Sequence, residues 1–246
     1  MQLITRYVLN PGRFLSLAGY VQPVCAVISL ACFAYGLSLA LWNSPPDYQQ
    51  GETVRIMYIH VPAAWVGILL YTVMAGAAGL GIVGRLPMAD IFCVAAAPVG
   101  AVLTMLCLIT GSIWGKPTWG AWWVWDARLT SVLILFLLYC GYIILRQAFD
   151  DHERGSKVGA ILLLVGVVNI PIIHFSVNWW HTLHQPASVL SPSGSAIAPE
   201  MLKPLLVMAL AYCFYTASIV LMRMRAVIIT RRVEVAALDG PNGRAK

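Results

Sequence analysis

Six long apolar runs, separated by shorter polar stretches, set the pattern of the chain. Residues 14–46 carry no charged side chain and predict a first span over about 17–42. The polar loop NSPPDYQQGETVR follows, then a second run over 59–83 that Arg85 closes. After the short GRLPMAD turn come a third run over 91–113 and, beyond a tryptophan-rich interruption, a fourth over 129–145. The charged link RQAFDDHERGSK leads to a fifth run over 158–175, a long loop over 176–203, and a sixth run over 204–222. Each run is near the about 20 residues that cross a bilayer core. The pattern predicts an all-α integral membrane protein with six transmembrane helices. Residues 1–246 form a single six-span domain, ending in a basic tail over 223–246.

Composition agrees with the pattern. The 246 residues are 60% hydrophobic and only 11% charged, which excludes an ordinary soluble domain. The net charge of +6 comes from basic residues scattered among helix ends, so no nucleic-acid partner is expected. Arg6 and Arg13 precede an apolar run too long for a secretory signal. The sidedness of Lys and Arg says more. Of sixteen, only Arg55, Lys116, Arg128 and Lys203 fall on one face, and the other twelve fall opposite. Positive charge marks the cytoplasmic side, so the N- and C-termini are predicted to be cytoplasmic. Loops 43–58, 114–128 and 176–203 then face outward.

The outward face holds the unusual chemistry. Residues 114–128 read WGKPTWGAWWVWDAR and contain five of the nine tryptophans: Trp114, Trp119, Trp122, Trp123 and Trp125. Gly115, Pro117 and Gly120 are expected to interrupt any long helix there. A broken backbone cannot cross hydrocarbon, so the segment is predicted to lie at the membrane surface as an aromatic shelf. An interfacial tryptophan belt is the ordinary use of such residues. A belt needs few rings and populates both interfaces, whereas every tryptophan here falls on the outer side.

Four of the five histidines cluster on that same side: His60, His174, His181 and His184. His152 lies in the charged link and reads as a solvated residue. His181 and His184 stand three apart, so on a helix both would face one way. Each histidine taken alone is more often a structural hydrogen-bonding residue than a ligand. Together, beside a tryptophan shelf, they suit a planar apolar ring that carries iron. Haem takes axial ligands such as His, aromatic and aliphatic walls, and Arg or Lys for its propionates. Arg55 and Arg128 are the outward-facing cations near the two ends of this arrangement. Zinc or copper is the competing use of clustered histidines, but a bare ion gives no reason for five tryptophans.

Other chemistries find no motif. The six cysteines all lie inside apolar runs, without C-x-x-C or C-x-x-C-H, and read as small packing residues. GSIWGKP misses the phosphate-loop spacing and has Pro after the Gly-Lys pair. Neither G-x-S-x-G nor H-E-x-x-H occurs. No enzymatic activity is expected.

WGAWWVWDARLT at 119–130 resembles the signature of the WWD family of haem-handling membrane proteins, whose motif segment here spans 114–130. GSIWGKP, the HVPAA that begins at His60, and VNIPIIHFSVNWWHTLHQ ending at Gln185 resemble one branch closely, the haem exporter protein C family of cytochrome c maturation. The similarity covers most of residues 48–226, and the longer sister families carry more spans than this chain can hold. The resemblance implies a protein of the bacterial inner membrane that binds haem b at its periplasmic surface. It implies haem delivery to a periplasmic chaperone, the E component. The other partners implied are an ATP-binding subunit, a membrane subunit and a small single-span subunit, the A, B and D components. By motif, His60 and His184 would be the axial ligands, and Trp119 to Asp126 would contact the ring edge, with Trp114 on the same shelf. Two alternatives belong to other classes. One is a b-haem electron-transfer or quinone-linked subunit, which usually needs histidine pairs on both sides of the membrane. The other is a haem permease, against which stands the lack of ionisable residues at mid-membrane.

Overall fold

The computed structural model describes residues 10–184 and 197–238, and it is helical nearly throughout. Among the described residues seven α-helices follow in order: α1 Pro11–Ser38, α2 Met57–Gly84, α3 Pro87–Trp119, α4 Ala127–Gln147, α5 His152–Gly166, α6 Asn169–Trp179 and α7 Pro199–Leu238. A π-helical turn, Leu39–Asn43, extends α1, and a 3-10 turn, Glu52–Ile56, leads into α2. With α5 and α6 forming one span, the described residues contain six helices long and apolar enough to cross a membrane. The fold is that of a multi-pass α-helical membrane protein.

Local chemistry sets the ends of these helices. The Asn10 side chain accepts hydrogen bonds from the Gly12 and Arg13 amides, and Pro11 occupies the first position of α1. Asp151 caps α5 in the same way through Glu153 and Arg154. Arg85 adopts a left-handed conformation at φ +49, which turns the chain so that Pro87 can open α3. Outward faces are apolar as well as inward ones: Leu30 is 71% exposed, Leu69 55% and Leu137 56%. Such exteriors suit lipid and not water.

Helix α3 is the centre of the bundle. It packs along α2 and also touches α4 and α7, while α1 lies along α7 and α6 against α4. Ala95, Ala96 and Ala97 on α3 are fully buried, and small residues of this kind let helix backbones approach closely in a membrane. Tyr139 on α4 lies over Gly100 and donates to the Gly67 carbonyl at 2.8 Å. Tyr71 meets Tyr139 edge to face at 5.1 Å, with its hydroxyl against Gly166. A methyl at Gly100 or Gly166 would overlap these rings. Gly100→Ala or Gly166→Ala is therefore expected to cost about 1–3 kcal/mol through overpacking. Gly76→Ala, with nothing within 4 Å of the added carbon, should be neutral. Thermal unfolding of the solubilised full chain measures the difference.

Three boundaries differ from the sequence expectation. Helix α3 does not stop near residue 113 but runs through Gly115 and Pro117 to Trp119. Pro117 removes one helical hydrogen bond, the one to the Ile113 carbonyl, and the helix continues two residues beyond it. Gly120, at φ +77, ends the helix, and its amide bonds the Lys116 carbonyl at 3.1 Å. The fifth span is two helices broken after Gly166, where Pro171 has no N–H to give the Val167 carbonyl. The sixth helix continues past Met222 to Leu238. Arg223 bonds the Ala95 carbonyl at 2.9 Å, and Arg231 pairs with Asp90 at 2.6 Å. Residues 223–231 thus pack against α3, the helix continues to Leu238 with 232–237 exposed, and residues 239–246 lie outside the described ones.

Candidate functional site

The site is built where the start of α2, the end of α3 and the segment after α6 meet. His60 lies in the first turn of α2, on a helix already begun by the 3-10 turn. Pro62 consequently falls inside the helix and not at its entry. The His60 ring is tied to α3: Nδ1 lies 3.0 Å from the Cys107 carbonyl and 3.1 Å from Thr110 Oγ1. Gly111 makes room for it, since a β-carbon there would stand 3.0 Å from His60 Cε1. Cys107, read from sequence as a packing residue, puts its sulfur 4.0 Å from Nε2.

His184 faces His60. Their ring centroids are 6.3 Å apart and their planes 26° from parallel. Trp114 and Trp119 complete the surroundings, at 6.5 and 6.1 Å from the His184 ring and 5.1 Å from one another. Trp114 is oriented by a 3.0 Å hydrogen bond from Nε1 to Gln50 Oε1. Gly115 lets Trp119 fold back, because a β-carbon there would lie 3.2 Å from that indole.

Other residues of the segment are placed differently. Trp123 and Trp125 pack on each other at 5.5 Å, and Trp122 and Trp125 are 59% and 76% exposed. Asp126 is buried and caps α4, accepting from the Leu129 amide at 2.7 Å. Its second carboxylate oxygen and Trp123 Nε1 are buried with no hydrogen-bond partner among the described residues. Arg55 pairs with Glu52 and donates to the Ala40 carbonyl. Arg128 donates from Nε to Ser176 Oγ at 2.8 Å. A guanidinium has five donors, so these contacts orient both arginines and leave each with capacity for a carboxylate.

The structure separates the remaining histidines. Helix α6 ends at Trp179, so His181 and His184 are not on one helical face as expected, and His181 is exposed. His174 is exposed and packs on Phe175 at 4.7 Å. His152 lies 3.5 Å from Glu234, on the far end of α7. Among the described residues no group of three or more His, Cys, Asp or Glu side chains could hold a metal ion. Two facing imidazoles are the protein complement of a haem iron, whereas a zinc site takes three or four ligands. Sequence reasoning missed Gln50, Cys107, Thr110 and Gly111. Their signal is their contact with His60 or Trp114, and nothing in their spacing announces it.

A six-span helical membrane protein with two neighbouring histidine rings bordered by two tryptophans is the class defined so far. The family profile described as heme exporter protein C matches residues 4–239. Curated relatives called heme exporter protein C include one from Bradyrhizobium diazoefficiens, 50% identical over 91% of this chain and 85% of the relative. The Escherichia coli protein is 45% identical over 95% of this chain and 96% of its own length. That of Paracoccus denitrificans is 38% identical over 96% and 97%. The chain belongs to the heme exporter protein C family.

Proposed function

We propose that this protein holds haem b between His60 and His184 at the periplasmic surface of the bacterial inner membrane and presents it for cytochrome c maturation. The observation that carries the reading is the pairing of these two rings at 6.3 Å. Residues 124 apart in sequence have no packing reason to meet as two imidazoles. The chain's own part is binding and positioning. His60 and His184 would hold the haem iron through their ring nitrogens, Trp114 and Trp119 would wall the ring, and Arg55 and Arg128 would take the propionates. The exposed Trp122 and Trp125, with Trp123 and Asp126 behind them, shape the edge offered to a partner. That partner is a haem chaperone, the E component, on which the covalent bond is made. ATP hydrolysis belongs to an associated ATP-binding subunit, beside membrane and single-span subunits (the A, B and D components). An electron-transfer role would call for a second facing histidine pair; none occurs among the described residues, where His152 instead neighbours Glu234.

Co-expression with the chaperone tests the reading. Covalent haem on the chaperone should require both histidines; chaperone loading that persists undiminished in His184→Ala would refute it. The orientation has its own test. The sixteen basic residues divide twelve to four, so reporter fusions after residue 120 and after residue 152 should report opposite sides, the first periplasmic. Equal sidedness would remove the basis for an outer-face site.

A further inference from the structure

A histidine that ligates metal must offer an unprotonated nitrogen and keep its ring still. Both requirements for His60 are met from one turn of α3. The Cys107 carbonyl, 3.0 Å from Nδ1, can only accept a hydrogen bond. Neutral His60 therefore carries its proton on Nδ1 and its lone pair on Nε2. Thr110 Oγ1 lies 2.7 Å from the Leu106 carbonyl, to which its hydroxyl donates. The oxygen of Thr110 is left to accept, and it stands 3.1 Å from the same Nδ1. Two acceptors thus converge on one N–H, while Gly111 beneath Cε1 lets the ring lie this close to the helix.

We infer that Thr110 is a positioning residue, which fixes the tautomer and plane of His60 and strengthens Nε2 as a donor to ferric iron. Outer-shell hydrogen bonds to a ligating imidazole raise its basicity, and a more basic ligand favours the higher charge on iron. The inference rests on the proposed ligation of haem by His60. Valine replaces the hydroxyl by a methyl at nearly constant volume, and serine keeps the hydroxyl.

The test uses the full-length protein in detergent, titrated with ferric haem after depletion and then poised electrochemically. Thr110→Val should bind ferric haem about tenfold more weakly. With ferrous affinity unchanged, that raises the reduction potential by about 59 mV for one electron. Thr110→Ser should restore both values. Should the valine variant fail to fold, Thr110→Ala compared with Thr110→Ser reads the same difference. Affinity and potential that match wild type in Thr110→Val, while His60→Ala loses its haem, would overturn the role of Thr110 alone. Haem binding unchanged in His60→Ala would overturn the ligand reading, and this inference with it.

Discussion

Replacing His60 or His184 by alanine is expected to deprive the purified protein of stably bound haem. The effect should exceed the about hundredfold upper range of outer-shell changes, because a direct bond to iron is lost. Either alanine leaves a gap the size of an imidazole, so added imidazole should recover binding. His181→Ala and His174→Ala should behave like wild type, since both side chains are exposed and outside the pair. His152→Ala should also be silent, its ring lying beside Glu234. Absorption spectra of the five variants at equal protein concentration decide the matter. A large effect from His181→Ala with none from His184→Ala would show the second ligand to be misassigned.

The tryptophans should divide into two groups. Trp114 and Trp119 border the His184 ring, so Trp114→Ala or Trp119→Ala should weaken haem retention. A ring packed on an apolar ligand is worth roughly 1–3 kcal/mol, which is up to about a hundredfold in affinity. Trp122 and Trp125 are exposed and should leave retention nearly unchanged while reducing transfer to the chaperone. Haem on this protein and covalent haem on the chaperone, measured in the same cells, separate the two effects. If all four substitutions leave both quantities unchanged, the tryptophans are a membrane-interface belt. Arg128→Lys should weaken retention despite keeping the charge. A lysine cannot reproduce a guanidinium that holds Ser176 and still has donors for a haem propionate.

The six spans were legible because hydrocarbon imposes one rule along the chain: long apolar runs, with backbone bonds satisfied inside each helix. Their ends were less so, for two different reasons. Gly115 and Pro117 read as breakers, but the helix runs through both, and Gly120 with its positive φ makes the real stop. The break after Gly166 has a local cause instead: Pro171 has no N–H to give the Val167 carbonyl, and its ring crowds that carbonyl, so the helix yields at 167–168. Asp126 carried a readable local signal, a carboxylate before the helical run ARLT. Its role as a cap emerges only when the Leu129 amide is seen on it.

The site shows the same division. Clustering of histidines and tryptophans on one face was visible from charge bias and composition. Spacing alone left His181 and His184 equivalent, and it assumed a helix that ends at Trp179 instead. Which histidine meets His60 depends on how the chain leaves α6. The supports of His60 lie 47 to 51 residues away on α3, at Cys107, Thr110 and Gly111. Contacts at that separation have no periodicity to reveal them.

The low-temperature electron paramagnetic resonance spectrum of the purified ferric protein tests the central claim most directly. Two imidazoles on one iron predict a six-coordinate, low-spin signal of bis-histidine type in the wild type, lost in His184→Ala and recovered with added imidazole. A high-spin signal in the wild type, or a low-spin signal that survives both His60→Ala and His184→Ala, would contradict it.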